Sequence, residues 1–498
     1  MSVLLVILVV VSTLAVVAAT VFLFFLGSVL SRIYHSIKPH VTAQPPSLIP
    51  SLPLFRHFPA TARVAFRPLA NFPSPVHRIR IPQSPVSNGK DLVFSVKRDD
   101  LVSTSLYSGN KVRTLQFVIA SCEAHQESYQ NAKLFAIGSA GSNQVVCALT
   151  YGKSVGVNVD AVYLKSDLPD LDNALNVVSA LSIVPKSRIN LWDNSSGMWK
   201  LLNALFRSGP DRVFGMGGNS IAGTLGQING ALELAEQIES GQIADIDALY
   251  LPIGSSCTFT GLILGICLAQ YRGIKAFQSP DFKIVAVPIH HTFAGLHRSI
   301  GIYKAEWSSY IPTLPKYNFH HVSAFLKSIG AIDSTFDLEA AAGDFLTHHV
   351  DIVADEDIVG LYGVHSTRSL RAASYDTLLQ VFDGTNKSEW SAESQPPVPW
   401  ICGHFVGKPF AVLLNDLERN TRNGVEKHLL LWQTKSAIQP KGPVDEWMQV
   451  KEVADDSKEF GKWLKESQPH SLLRRGYIDV ADGKPEDYQF IMKETSLI

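Results

Sequence analysis

Val96-Lys97-Arg98-Asp99-Asp100-Leu101, followed six residues later by Ser108-Gly109-Asn110-Lys111-Val112-Arg113, decides how this chain is read. A β-branched run, Leu92–Lys97, ends there, a turn with Gly and Asn follows, and Lys111 opens a helical pattern over Lys111–His125. A lysine at a strand-to-helix junction can be desolvated enough for its amine to be neutral, and a neutral amine is a nucleophile and a base. Taken alone, the stretch also suits a solvated surface lysine.

Three further segments have the same strand–turn–helix form. Gly138-Ser139-Ala140-Gly141-Ser142-Asn143-Gln144 follows the strand pattern Lys133–Gly138 and supplies small residues with hydroxyl and amide groups where a helix starts. Gly217-Gly218-Asn219-Ser220-Ile221-Ala222-Gly223-Thr224-Leu225-Gly226 does not fit the dinucleotide spacing G-x-G-x-x-G. Gly254-Ser255-Ser256-Cys257-Thr258-Phe259-Thr260-Gly261 follows the apolar strand Ala248–Ile253. Small residues at a helix start expose backbone N–H groups to an anion. The segment lacks the Gly-Lys-Ser/Thr ending of a nucleoside-triphosphate loop, so a phosphate carried on a cofactor suits it better than ATP.

Around these segments, β-branched runs at Val159–Leu164, Ile284–Pro288 and His428–Trp432 alternate with helical stretches at Gly223–Ser240 and Gly261–Tyr271. This is the pattern of an α/β protein with a mainly parallel sheet. The chain has 498 residues, 46% hydrophobic and 18% charged, enough for two or three domains. Its 44 Lys and Arg against 45 Asp and Glu give a formal charge of −1, and no basic run interleaved with aromatics points to nucleic acid. The cysteines (Cys122, Cys147, Cys257, Cys267, Cys402) show neither zinc spacing nor disulfide density. The adjacent pairs His290-His291, His320-His321 and His348-His349 point apart on any regular element, so no metal site is expected.

Val3 to Leu30 is almost wholly apolar and is not preceded by a basic residue, so it reads as one retained transmembrane helix rather than a signal peptide. Arg32 and Lys38 follow it, which places the rest of the chain in the cytoplasm by the positive-inside bias. Residues 1–38 are thus the anchor and its basic flank. Residues 39–75, with Pro45, Pro46, Pro50, Pro53 and Pro59, read as an extended tether. Residues 383–399 read as a polar surface insertion, and the charged end of the chain as peripheral helices.

In their order, these segments resemble one family: the aminocyclopropane-carboxylate deaminase and D-cysteine desulfhydrase enzymes, within the tryptophan-synthase β-like pyridoxal-phosphate (PLP) fold. Lys97–Leu101 with Ser108–Arg113 is similar to its lysine-bearing segment, Gly138–Gln144 to its Gly-Gly-x-Gln-Ser-Asn-His/Gln, Gly217–Gly226 to its Gly-Gly-Ser-Asn-x-x-Gly-x-x-Gly, and Gly254–Gly261 to its Gly-Ser-Gly-Gly-Thr loop. Val359-Gly360-Leu361-Tyr362-Gly363 and Gly407-Lys408-Pro409-Phe410 also match, and Leu431-Trp432-Gln433-Thr434 stands where the family has Ile-His-Thr-Gly-Gly. The resemblance covers about Pro53 to Pro440. It implies two open, mainly parallel twisted sheets flanked by helices (fold type II), with residues 76–114 and 248–440 forming a large PLP-binding domain. Residues 115–247 would form a small domain and 441–498 a C-terminal extension.

The resemblance also implies roles. Lys111 would carry the PLP Schiff base and move protons. Asn110 and Asn143 would hold the cofactor or the substrate carboxylate, with Gln144 beside them. Ser142 and Tyr362 would act on the substrate. Gly254, Ser255, Ser256, Cys257 and Thr258 would bind the phosphate, and Thr434 would sit by the cofactor ring. The implied reaction releases ammonia and a 2-oxo acid from a small amino acid, and a homodimer is compatible with it. Phe405 and Val406 depart from the family's Tyr and Glu or Thr. That departure favours desulfhydrase over cyclopropane opening, and it motivates an alternative: a catalytically reduced PLP- or amino-acid-binding module tethered to a membrane.

Overall fold

The computed structural model describes residues 3–45, 51–82, 89–102, 107–126, 133–164, 171–191, 195–206, 212–289, 313–353, 355–359, 366–382, 396–435 and 458–466. Its first helix, α1, runs from Val3 to His35, and a short second helix, α2, covers Pro53–His57. Strands β1 (Val76–Ile81) and β2 (Leu92–Arg98) form a hairpin-like antiparallel pair, and β2 leads into α3 (Asn110–Gln126). Next come β3 (Leu134–Ser139), α4 (Asn143–Ser154), β4 (Val159–Leu164), α5 (Leu171–Ile183), β5 (Ile189–Leu191), α6 (Ser195–Phe206) and β6 (Arg212–Phe214). Then α7 (Ile221–Glu239), β7 (Ala248–Ile253), α8 (Cys257–Tyr271), β8 (Lys283–Pro288) and α9 (Thr313–Ser328) follow. The remaining strands are β9 (Val350–Ile352), β10 (Gln380–Phe382) and β11 (Leu429–Gln433).

The strands form two sheets. One has seven strands in the order β10-β1-β2-β11-β7-β8-β9, parallel from β2 to β9, with β1 antiparallel to both neighbours. The other has four parallel strands in the order β5-β4-β3-β6. Strands of the parallel region are buried on both faces, so they read as apolar runs such as Ala-Leu-Tyr-Leu-Pro-Ile in β7 rather than as alternation. The ends of the parallel strands lead into the segments that the sequence singled out: β2 toward Lys111, β3 toward Ser142, β6 toward Gly217, β7 toward Ser255 and β11 toward Thr434. In open α/β sheets this is where ligands bind, because helix N-termini begin there.

Helices α3, α7 and α8 form the packed layer behind these ends. A Cβ on Gly226 of α7 would stand 2.0 Å from the Arg113 carbonyl oxygen of α3, and one on Gly265 of α8 would stand 2.5 Å from the Ala231 side chain. Only a glycine lets these backbones come so close.

Two expectations differ from the structure. Residues 51–64 are not an extended tether: Pro53 starts a helix at a position that needs no N–H, and Leu54, Phe55 and Phe58 are buried in the main core. Helix α8 begins at Cys257, a turn earlier than the apolar periodicity suggests, because Ser, Cys and Thr of its first turn carry little hydropathic signal. The side chains of residues 3–11 and of several later α1 positions lie outside the described residues. Among the described residues no helix is long and apolar enough to cross a membrane. The insertion at 383–395 and the stretches 441–457 and 467–498 also lie outside them, although Phe460, Trp463 and Leu464 of the helix Lys458–Glu466 join the main core.

Candidate active site around Lys111

Lys111 stands one residue into α3 and its Nζ donates to the Gly217 carbonyl oxygen at 3.1 Å. That carbonyl belongs to the turn between β6 and α7, where Gly217 and Gly218 take φ of 62° and 80°. Both positions need glycine. A Cβ on Gly217 would lie 2.0 Å from Ser255 Oγ and 3.3 Å from Lys111 Nζ; one on Gly218 would lie 2.3 Å from Thr114 Cγ2 and 3.4 Å from Gln144 Nε2. The turn therefore gathers Lys111, Gln144 and Ser255 from three different strand ends. Lys111 retains some accessible surface, yet the protein around its amine pushes its pKa down from the ordinary lysine value. The Cys257 and Cys147 thiols lie within electrostatic reach, and burial raises both thiol pKa values, which leaves them neutral.

Gln144 is 1% exposed and both polar atoms of its amide are buried without a partner among the described residues. A buried amide in that condition costs stability unless a ligand or water satisfies it. Asn143 is better tied down: its Oδ1 accepts from Asn176 Nδ2 at 2.8 Å and from the Tyr107 hydroxyl. With the oxygen occupied, the amide nitrogen is the group left for a ligand. Ser142 is the N-cap residue of α4 but its side chain makes no capping bond.

At the third strand end, Ser256 is the N-cap of α8 with φ 62°, a left-handed conformation that is unfavourable for serine. The α8 start presents the N–H groups that a helix cannot satisfy internally, beside Ser255 and Thr258. Asn110 Nδ2 donates to Thr258 Oγ1 at 2.7 Å, so this amide ties α3 to α8. Gln227 holds the same junction through the Asn110 carbonyl oxygen at 2.8 Å and Thr114 Oγ1 at 2.9 Å. Half-buried Thr434 approaches from β11, its carbonyl oxygen accepting from Asn110 N at 3.2 Å. Gly254 packs against Ile289. Tyr362 lies outside the described residues.

Beneath Lys111 is a buried ionic cluster that sequence reading did not find. Arg113 donates to Asp99 at 2.7 and 3.0 Å and to Glu233 at 2.9 and 3.0 Å; Lys97 Nζ donates to Glu233 Oε1 at 2.5 Å and Gln237 Oε1 at 2.7 Å. Trp432 Nε1 completes it by donating to Asp99 Oδ2 at 2.8 Å. Burial alone would raise the Glu233 pKa, but Arg113 and Lys97 outweigh it and hold the carboxyl down at about 2. No signal within α7 marks Glu233, because its partners lie far away in sequence. The same is true of Asn176 and Gln227. Phe405 and Val406 carry no group that could replace the family's Tyr and Glu or Thr; Val406 is fully buried in an apolar cluster and Phe405 stacks on His404 at 4.1 Å. Among the described residues no cluster of His, Cys, Asp and Glu could hold a metal.

No family model matches the chain. The bifunctional D-cysteine desulfhydrase/1-aminocyclopropane-1-carboxylate deaminase of Arabidopsis thaliana mitochondria is 29% identical over 230 residues, 43% of this chain and 55% of its own. The D-cysteine desulfhydrase of Salmonella paratyphi B is 24% identical over 216 residues, 40% of this chain and 58% of its own. The chain is related to these enzymes. It spans 55–58% of the length of the two relatives. The crystal structure of an ACC deaminase homologue aligns at 16% identity over 76% of this chain and 94% of its own, with a TM-score of 0.48.

Proposed function

We propose that this chain is a PLP-dependent lyase of the desulfhydrase and deaminase type, taking a small amino acid to ammonia and a 2-oxo acid. The observation that carries it is the meeting of Lys111, Ser255 and the unpartnered Gln144 amide at the Gly217-Gly218 turn, where burial also lowers the lysine pKa. These residues fit PLP. The α8 N-terminus with Ser255 and Thr258 suits its phosphate, Lys111 its aldehyde, and the orphaned Gln144 amide supports a polar contact to a ligand. When bound, PLP supplies an electron sink for the bonds at the substrate's α-carbon.

The chain's own groups do the rest. Lys111, its pKa lowered by desolvation, accepts the α-carbon proton and returns one later. The Gln144 and Asn143 amides would bind the substrate carboxylate, and Ser142, whose hydroxyl makes no capping bond, would contact the substrate. Gly217 holds the Lys111 amine through its carbonyl, which keeps the base oriented. Lys111→Ala should lower the rate of ammonia release by about 10²–10⁴-fold, the usual worth of a general base, and abolish the visible absorbance band of the lysine-bound cofactor. Borohydride treatment of the wild type followed by peptide mass spectrometry should place the adduct on Lys111. An adduct on another lysine refutes the assignment.

Phe405 and Val406 favour a second reading, a PLP-binding module with reduced catalysis, since neither can bond a pyridine nitrogen or transfer a proton. A bound cofactor whose band is unchanged by a panel of D- and L-amino acids is the outcome that selects it. We also propose that α1 anchors the chain, with Arg32 and Lys38 on the cytoplasmic side. The described apolar side chains Leu14, Val16, Val21 and Phe24 are exposed along it, which an aqueous helix avoids. Flotation of the full chain with phospholipid vesicles, and its loss on deleting residues 2–30, tests this.

A further inference from the structure

The Asn143 amide is oriented by a chain of bonds that starts at a backbone carbonyl. Asn176 of α5 is fully buried, and its Nδ2 donates to the Gly141 carbonyl oxygen at 2.7 Å and to Asn143 Oδ1 at 2.8 Å. A carbonyl oxygen can only accept, so the atom of Asn176 that faces Gly141 must be its nitrogen. The same nitrogen faces Asn143, so the atom it meets there must be the acceptor Oδ1. The Tyr107 hydroxyl donates to that oxygen too, but a hydroxyl serves either polarity, and only Asn176 dictates it. Gly141 is itself held in place. It takes φ 77°, and a Cβ there would lie 2.1 Å from the Asn173 carbonyl oxygen, so turn and helix meet backbone to backbone.

The chain of bonds ends at the site. Tyr107, 1% exposed, lies four residues before Lys111 on the segment that carries it. Gln144, next to Asn143, brings its Nε2 to 3.4 Å from where a Cβ of Gly218 would stand, and the neighbouring Gly217 carbonyl accepts from Lys111 Nζ. Asn143 is half-buried, and its Nδ2, the atom turned away from Asn176, makes no hydrogen bond among the described residues and is not sealed inside the fold. The position therefore offers a donor, and while Asn176 is in place it cannot turn to offer an acceptor.

We propose that Asn176 is a positioning residue that sets the Asn143 amide as an obligate donor, so that the ligand group it meets is an acceptor oxygen, from either the substrate carboxylate or the ring oxygen of the cofactor. The proposal rests on the PLP reading of the site. It gives a role to a residue of α5, a helix that carries none of the segments resembling the relatives.

The test inverts the polarity at nearly constant shape. In Asn176→Asp the carboxylate cannot donate to Gly141 or Asn143, so Asn143 turns its Nδ2 toward position 176 and aims Oδ1 at the ligand. Asn176→Ala removes the anchor without imposing a polarity. Full-length wild type and both variants, in detergent and stripped of cofactor, are titrated with PLP and with an analogue lacking the ring oxygen, read by absorbance. Loaded with PLP, they are titrated with alanine of either hand and with ethylamine, which lacks the carboxylate. Asn176→Asp should bind one acceptor-bearing ligand about tenfold or more weakly, the worth of a hydrogen bond to a charged group, and bind its analogue as wild type does. That ligand is PLP if the oxygen is the cofactor's and alanine if it is the substrate's. Asn176→Ala should lose less, and the deficit of Asn176→Asp should shrink as the pH falls and its carboxyl becomes a donor. Unchanged binding in Asn176→Asp overturns the proposal. So does an equal loss for ligand and analogue, which would make the residue merely structural. If Asn176→Asp does not fold, Asn176→Ala decides by the same comparison. If wild type gives no band with PLP, the proposed function fails, and calorimetry with pyruvate on the cofactor-free chain still decides Asn176: binding by wild type that weakens in Asn176→Asp supports the role, its absence or equality in both rejects it.

Discussion

Ser256 shows at the scale of one residue what the site costs. It sits at φ 62°, where an L side chain is strained, and its hydroxyl makes no capping bond to recover that strain. Glycine removes the strain. Ser256→Gly should therefore raise the unfolding free energy by about 1 kcal/mol, measured by urea denaturation with the slope unchanged. A loss of stability would mean that the hydroxyl has a structural partner. Lys111 is the converse case: its sequence context, Ser-Gly-Asn-Lys at a strand end, is local and could be read directly. Its environment could not, because Gly217, Ser255 and Gln144 come from strand ends up to 144 positions away in the chain (Lys111 to Ser255).

Among the elements, β2, α3, α7 and β11 are joined by the cluster of Lys97, Asp99, Arg113, Glu233 and Trp432. Removing one member leaves its partners charged, buried and unpaired. Glu233→Gln should cost about 3–5 kcal/mol, the usual penalty for breaking a buried ion pair from one side. The acid limb of the stability curve follows from the same carboxyl. Its folded pKa, held at about 2, lies below the ordinary 4.5, so its contribution is fully present above about 4.5 and is lost as the pH falls from there through 2. A pH titration of the melting temperature should fall steeply in that window for wild type and less steeply for Glu233→Gln. The strands themselves were legible: Val159–Leu164 and Ala248–Ile253 match their read boundaries because parallel buried strands are unbroken apolar runs. Helix α2 was not, since Pro53 and Pro59 read as tether residues, whereas Pro53 occupies the helix start that tolerates it.

Across the molecule, the chain before β1 is built into the fold. Leu54 is fully buried and its N–H donates to Asn229 Oδ1 of α7 at 3.0 Å. Arg56 and His57 pair with Glu236 on the same helix. Leu54→Ala should cost about 2–5 kcal/mol, as for other core leucines, whereas a flexible tether would tolerate it without a measurable change in urea midpoint. Tertiary burial of this kind cannot be read from proline content, which records only where a backbone donor is missing.

The residue just past α1 carries one more consequence. Ser36 Oγ accepts from the Val213 N–H at 2.8 Å, and β6, to which Val213 belongs, is the outer strand of the four-stranded sheet. An outer strand with an unfilled backbone donor is a template on which another chain can add a strand. Shortening the chain past Ser36 would uncover that donor, and Ser36→Ala would do so with a single atom. In detergent, Ser36→Ala should self-associate at concentrations where wild type stays dispersed, seen as concentration-dependent light scattering with a gain in sheet signal. The residue after the first helix would then guard that sheet edge against strand addition.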